Sequence, residues 1–240
     1  MYRNLFMDTE LSYCLEICPT FSMLPEEDIK NLTRKVSIKH IKKGEHVWKI
    51  GENSDYVFIL VSGFIQLYTS DTKGTINTLA ILIPPHLIGY IEAIADEKRC
   101  YNIMALHDST ILTIKTTDFN ELLDRNPKMM RNCLETVCNA SYMEMRFRSQ
   151  YKTESPELKV VYCLVLICKH MIKFHHSSGD KPLDIYINQE ILASFSNVSR
   201  PVANKVLKKY SSKGHITASY RSITILNPNQ FIEDSINKVG

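Results

Sequence analysis

The segment from Asn188 to Tyr210, NQEILASFSNVSRPVANKVLKKY, sets its chemistry-bearing side chains at helical spacing. Arg200, Asn204, Lys205, Lys208 and Lys209 fall on the outward side of a helix whose inner side is Val202, Val206 and Leu207. Arginine and lysine match the guanine acceptors of the major groove, and an asparagine amide matches the adenine edge. Arg200 and Lys205 are therefore candidate guanine readers, Asn204 a candidate adenine reader, and Lys208 and Lys209 candidate phosphate contacts. Ser199 stands at the N-cap, and Pro201 falls in the first turn, where no intrahelical N–H is lost. Between Asn188 and Arg221 there are six Lys or Arg and one carboxylate, Glu190, an excess of +5 in a chain of formal net charge +3. Charge concentrated in this way suits the phosphates of a duplex. The alternative for the same pattern is a solvated helix face on a protein-interaction module.

Such a helix needs a partner helix and a scaffold. Ile191, Leu192 and Phe195 supply the inner side of a first helix, and Ala193 is small enough for a close crossing. Asn197 occupies the sharp turn, where glycine is usual because φ is positive, and asparagine tolerates that conformation. Around this pair the pattern reads as a helix over 158–170, a polar loop over 175–182 and a strand over 183–187. Helices over 189–195 and 199–212 follow, then strands over 215–219 and 222–226. That order describes a winged helix, with Tyr220 and Arg221 at the wing tip in reach of the DNA backbone or minor groove.

Upstream the text changes character. From about Val36 to Lys115 short apolar runs, VFILVSG, FIQLY, INTLAIL and TILTIK, alternate with turns marked by Gly44, Gly51, Gly63, Gly74 and Gly89. Many short strands with glycine turns predict a closed barrel or sandwich. After Pro127 the period becomes helical: Met130, Cys133, Leu134, Val137 and Cys138 form one stripe. Ala140, Tyr142, Met143, Met145 and Phe147 make this helix of about 25 residues apolar nearly all round, so barrel, second domain and partner chain could each cover a face. Thr153 to Pro156 reads as a hinge. The expected domains are a β-barrel sensor over 1–125, a long helix and hinge over 126–154, which the family resemblance given below makes a dimerisation helix, and a DNA-binding domain over 155–240; the fold class is α+β.

A composition of 44% hydrophobic and 23% charged residues is globular. Seven cysteines, an odd number without a CxxC pair, read as reduced thiols in the cytoplasm. The N-terminus lacks the apolar core of a signal peptide, and Val160 to Ile167 is far short of a membrane span, for which about 20 residues are needed. No nucleophile elbow, P-loop, HExxH or paired metal-ligand spacing speaks for an enzyme.

Two blocks carry a family resemblance. KKGEHVWKIGENSDYVFILVSGFIQLY (42–68), LIGYIEAIADEKRCYNIMAL (87–106) and TILTIKTTDFNELLDRNP (110–127) resemble the barrel of the Crp/Fnr regulators, the cAMP receptor protein family. The SR at 199–200 is similar to the start of that family's recognition helix. The resemblance implies a cyclic-nucleotide-binding-like jelly roll (a double-stranded β-helix), a homodimer along the long helix, palindromic DNA sites and a meeting with RNA polymerase. It also points to an effector pocket at Gly89, Tyr90, Arg99 and Cys100. In cyclic-nucleotide-binding members a Gly-Glu pair and an Arg-Ser/Thr-Ala triplet hold ribose and phosphate. Here Tyr90 replaces the glutamate, while Cys100 and Tyr101 replace the small pair, and the purine-facing turn falls at Glu144 and Met145. cAMP is thus disfavoured, and Arg99 reads as a surface or ion-pair arginine. An iron–sulfur cluster is disfavoured because Cys14 and Cys18 supply only two ligands, and haem because His86 reads as a loop residue after Pro84-Pro85. Cys100, Cys133 and Cys138 read by default as buried apolar thiols, and no cofactor is expected. The rival function is a regulatory module of this type that acts through protein partners without specific DNA binding.

Overall fold

The computed structural model describes residues 11–151, 155–174, 181–219 and 221–236. Tyr220, Thr153, Glu154 and most of the 175–182 loop, invoked above, lie outside the described residues, as do the side chains of Met143, Glu144 and Phe147. The chain forms two compact units, Met1–Gly63 with Pro84–Met145, and Phe64–Ile83 with Arg146–Gly240.

In the first unit, β1 (Ser37–Ile41), β8 (Ser109–Lys115), β3 (Tyr56–Ser62) and β6 (His86–Ile88) form an antiparallel sheet in that spatial order. Beside it β2 (His46–Trp48) pairs with β7 (Asn102–Ala105). β3 is central and buried on both faces: Val57, Phe58, Ile59 and Leu60 are all inside. The β-branched and aromatic run VFILV suits such a strand, because each pleat face meets another layer. Gly63 closes the turn after β3 at φ 93°, and a Cβ there would collide with Ser109. A glycine is needed at that point.

Val57 and Ile59, with Leu112 and Ile114 of β8, face a layer of helices. These are α1 (described over 11–16), α2 (Glu26–Thr33), α3 (Tyr90–Ala95), α4 (Thr116–Arg125) and the start of α5 (Pro127–Tyr151). Phe21 and Phe119 meet edge to face at 6.3 Å within that core. The stripe expected along α5 divides. Met129 and Cys133 enter the core with Val137 packed against it, whereas Met130, Leu134, Cys138, Tyr142 and Met145 are exposed.

The second unit contains the hairpin β4 (Ile65–Ser70) and β5 (Ile76–Leu82) together with the winged helix. The latter runs α6 (Pro156–Phe174), β9 (Leu183–Ile185), α7 (Gln189–Phe195), α8 (Arg200–Ser212), β10 (Ile216–Ala218), β11 (Ile223–Ile225) and α9 (Pro228–Ile236). β11 lies between β10 and β9 in an antiparallel sheet. α6 is longer than its periodicity suggested, because Pro156 starts it and its apolar side, from Val160 to Cys168, is buried by α8 and α9. The hairpin is joined to α7 by Ser194, whose hydroxyl donates to the Ile76 carbonyl at 3.0 Å and accepts from the Thr78 N–H at 2.9 Å.

Candidate nucleic-acid interface and sensor pocket

α7 begins at Asn188, whose Oδ1 accepts from the Ile191 N–H at 2.8 Å. It ends in the sharp turn, where Asn197 takes φ 51° and the Val198 N–H returns to the Ala193 carbonyl at 3.0 Å. Ser199 is the N-cap of α8, as its type predicts, yet its hydroxyl makes no capping bond, and it is exposed. Pro201 sits in the first turn.

The inner side of α8 is Ala203, Val206, Leu207 and Tyr210, with Val202 only half-buried. Tyr210 escaped the sequence reading because it ends a run of lysines. Its ring meets Phe231 edge to face at 5.9 Å, and its hydroxyl donates to Glu157 at 3.3 Å. Lys209 donates to the other Glu157 oxygen at 2.6 Å, which raises its pKa. Lys209 thereby ties α8 to α6, a role different from the phosphate contact expected of it. Arg200, Pro201, Lys205 and Lys208 remain exposed together on one side of the helix. Asn204 stands half-buried among them, its Oδ1 without a hydrogen-bond partner among the described residues. Leaving a buried acceptor unpaired is costly, and an incoming donor would relieve it. In the wing, the Ser219 hydroxyl accepts from the N–H groups of Arg221 (3.2 Å) and Ser222 (3.0 Å), and Arg221 is exposed.

The pocket residues of the barrel are brought together differently from the expectation. Gly89 is the N-cap of α3 at φ 79°, and Tyr90 starts the helix with its side chain buried. Burial, with the Cys133 thiol nearby, pushes the Tyr90 hydroxyl up to about 12. Arg99 is 2% exposed, so it is an ion-pair arginine but not a surface one. Its Nη1 donates to the Gly89 carbonyl at 2.9 Å, its Nη2 donates to the Tyr56 carbonyl, and Glu92 Oε2 lies 3.5 Å from Nη1. Trp48 covers the guanidinium at 4.1 Å, and Trp48 itself donates to the Tyr101 carbonyl at 3.0 Å. Burial lowers the Arg99 pKa, and Glu92 opposes that shift. Cys100 is exposed, contrary to the default for an apolar thiol, as is Cys138; Cys133 is buried as expected. A concavity of about 620 Å³ opens nearby beside Asp55, Tyr56, Asp96 and Lys115, but neither Gly89 nor Arg99 lines it.

These contacts differ from the cyclic-nucleotide-binding pattern described above. The guanidinium contacts two carbonyls and a carboxylate of the chain itself, and the buried Tyr90 stands where that pattern has a glutamate. His86 is not in a loop: it begins β6 and pairs with Leu60, because the residues after Pro85 join the edge of the sheet. Among the described residues no group of three His, Cys, Asp or Glu side chains could hold a metal, and no helix is long and apolar enough to cross a membrane.

Comparison with known proteins follows the same division. Residues 38–126 match the cyclic nucleotide-binding domain, and residues 160–233 match the Crp-like helix-turn-helix domain. The HTH-type transcriptional regulator Cmr of Mycobacterium tuberculosis is 25% identical over 205 residues, which are 84% of this chain and 78% of that protein. The cyclic AMP receptor protein of Thermus thermophilus is 22% identical over 202 residues, 82% of this chain and 87% of the relative. The structure of FixK2 from Bradyrhizobium japonicum superposes with a TM-score of 0.68 at 12% identity, over 82% of this chain and 96% of that one, a likeness of fold. With a sensor-type domain and a Crp-like helix-turn-helix matched in order, and regulators aligned along most of its length, the chain belongs to the Crp/Fnr family of transcription regulators.

Proposed function

We propose that the chain is a cytoplasmic, non-enzymatic homodimer that reads palindromic promoter sites and answers to something other than a cyclic nucleotide. The observation that carries this reading is the exposed side of α8. Arg200, Lys205 and Lys208 project together with Asn204 among them, while the adjoining carboxylate, Glu157, is taken up by Lys209. The N-terminal half of such a helix enters the major groove. Arg200 and Lys205 then address guanine, Asn204 pairs with adenine, and Ser199, Lys208 and Arg221 contact phosphates. Pro201 offers no side-chain acceptor, which favours a half-site different from that of cAMP-responsive members.

The exposed apolar stripe of α5 supports pairing with a second copy, because isolated monomers rarely leave such a stripe in water. Two recognition helices then meet half-sites about 34 Å apart on one face of the duplex. Bound beside a promoter, the dimer would have RNA polymerase as its partner.

Selection of binding sites from random duplexes, followed by titration of variants, tests the reading. Arg200→Ala is expected to cost roughly 1–3 kcal/mol and to relax preference at one base pair. Lys208→Ala is expected to weaken all sequences alike and to reduce the salt slope by about 1 per protomer. Absence of salt-sensitive affinity for any duplex would refute it.

A further inference from the structure

We infer that Glu92 is the permanent counter-anion of Arg99, and that this carboxylate, supplied by the chain itself, closes the sensor pocket to anionic effectors. The inference deepens the function proposed above, in which the regulator does not answer to a cyclic nucleotide.

Glu92 is 4% exposed and Arg99 2%, so both charges have left water. A buried cation without an anion is costly, and a buried anion likewise, so each requires the other. The guanidinium could grip an external phosphate only through a pair of parallel N–H donors. The pairs that use Nη1 are taken internally. Nη1 serves Gly89 and Glu92, Nη2 serves Tyr56, and the rings of Trp48 and Phe58 lie 4.1 and 5.8 Å from its central carbon. On the remaining edge Nε makes no hydrogen bond among the described residues and Nη2 keeps a second N–H, but the guanidinium is buried, so this edge does not face solvent.

The departures from the family motif then form one set. The Cys100 thiol lies 3.8 Å from Glu92 Oε1 as its donor, and burial with the nearby Glu92 carboxylate raises the pKa of the Tyr101 hydroxyl. Both residues stand where the cyclic-nucleotide-binding pattern has a small hydroxyl and an alanine. Here they flank the internal carboxylate in place of a ligand. Gly89 completes the arrangement: at φ 79° a side chain is strained, and a Cβ there would come 2.5 Å from Arg99 Nη1 and push the guanidinium aside.

The test uses the full chain and its melting midpoint, read by scanning calorimetry at constant ionic strength. Probes are sodium acetate, inorganic phosphate, cAMP and cGMP, against chloride. Wild-type protein is expected to melt at one midpoint in all of them. Glu92→Ala removes the equivalent of one acetate; its midpoint should fall in chloride and recover in acetate or phosphate. The double variant Glu92→Ala, Arg99→Met should show no anion-specific recovery. Should Glu92→Ala fail to fold, Glu92→Gln keeps the shape without the charge and is expected to melt below wild type. A wild-type midpoint raised by phosphate or a cyclic nucleotide overturns the inference. So does a Glu92→Ala protein that neither falls nor responds, or a Glu92→Gln protein as stable as wild type. Melting is read without DNA, so failure to bind a duplex would remove the proposed function and leave this inference standing.

Discussion

Asn197 adopts φ 51°, the left-handed conformation that its place in the turn predicts. A branched side chain is strained there, whereas glycine is free. Asn197→Val should therefore cost about 1–2 kcal/mol of unfolding free energy, and Asn197→Gly close to nothing, as read from urea denaturation midpoints. Asp96 takes a similar φ of 54° at the end of α3 but carries no comparable signal in the sequence, because nothing around it marks a turn of known type. Arg99 was legible as an arginine at a spacing the family uses; its partners were not. Gly89, Tyr56, Glu92 and Trp48 reach it from separate elements, and only packing brings them together. The lysine pair 208–209 shows the same limit. Periodicity puts both outside, but the long-range Glu157 contact separates a free cation from a tied one.

Among the elements, the succession of helices and strands along the chain was readable because apolar spacing repeats locally. The bounds of α7 agree with the spacing, and those of α5 begin at Pro127 as expected. What covers each face was not readable. The apolar positions of α5 fill two sides of the helix, and only the core shows that Cys133 points in while Leu134, 61% exposed, points out. If the outer stripe is the seam between two copies, Leu134→Glu places a like charge opposite itself across a twofold axis. Sedimentation velocity should then show monomers, with the core helices and strands of each chain still folded by circular dichroism. The hairpin presents a related case. Short apolar runs predict β4 and β5, but an edge strand does not announce what will satisfy its N–H and C=O groups. Here a serine of α7 does so at Ile76 and Thr78.

For the whole molecule, composition and domain order were informative and the effector was not, since a pocket is defined by residues distant in sequence. The thiols illustrate what burial adds. Cys18, Cys163 and Cys168 are pushed by burial up to about 12, and Cys133 up to about 11, from an ordinary 9.0. The folded chain thus holds these protons at a pH where the unfolded chain releases them. Their contribution to stability is complete below about pH 9 and is lost as pH rises from there towards 11–12. Denaturant midpoints should stay level towards pH 9 and then decline. Replacing Cys168 by alanine should make that decline shallower, even as it lowers the plateau through the cavity it leaves.

The chain has one tryptophan, and it is the residue lying flat against Arg99, 3% exposed and hydrogen-bonded through its indole N–H. Native indole emission therefore originates at a single address, beside the Arg99 guanidinium. The molecule comes with its own optical gauge: light excited at Trp48 reports on the surroundings of Arg99, so whatever disturbs that cluster can be followed on unlabelled protein by colour and intensity alone.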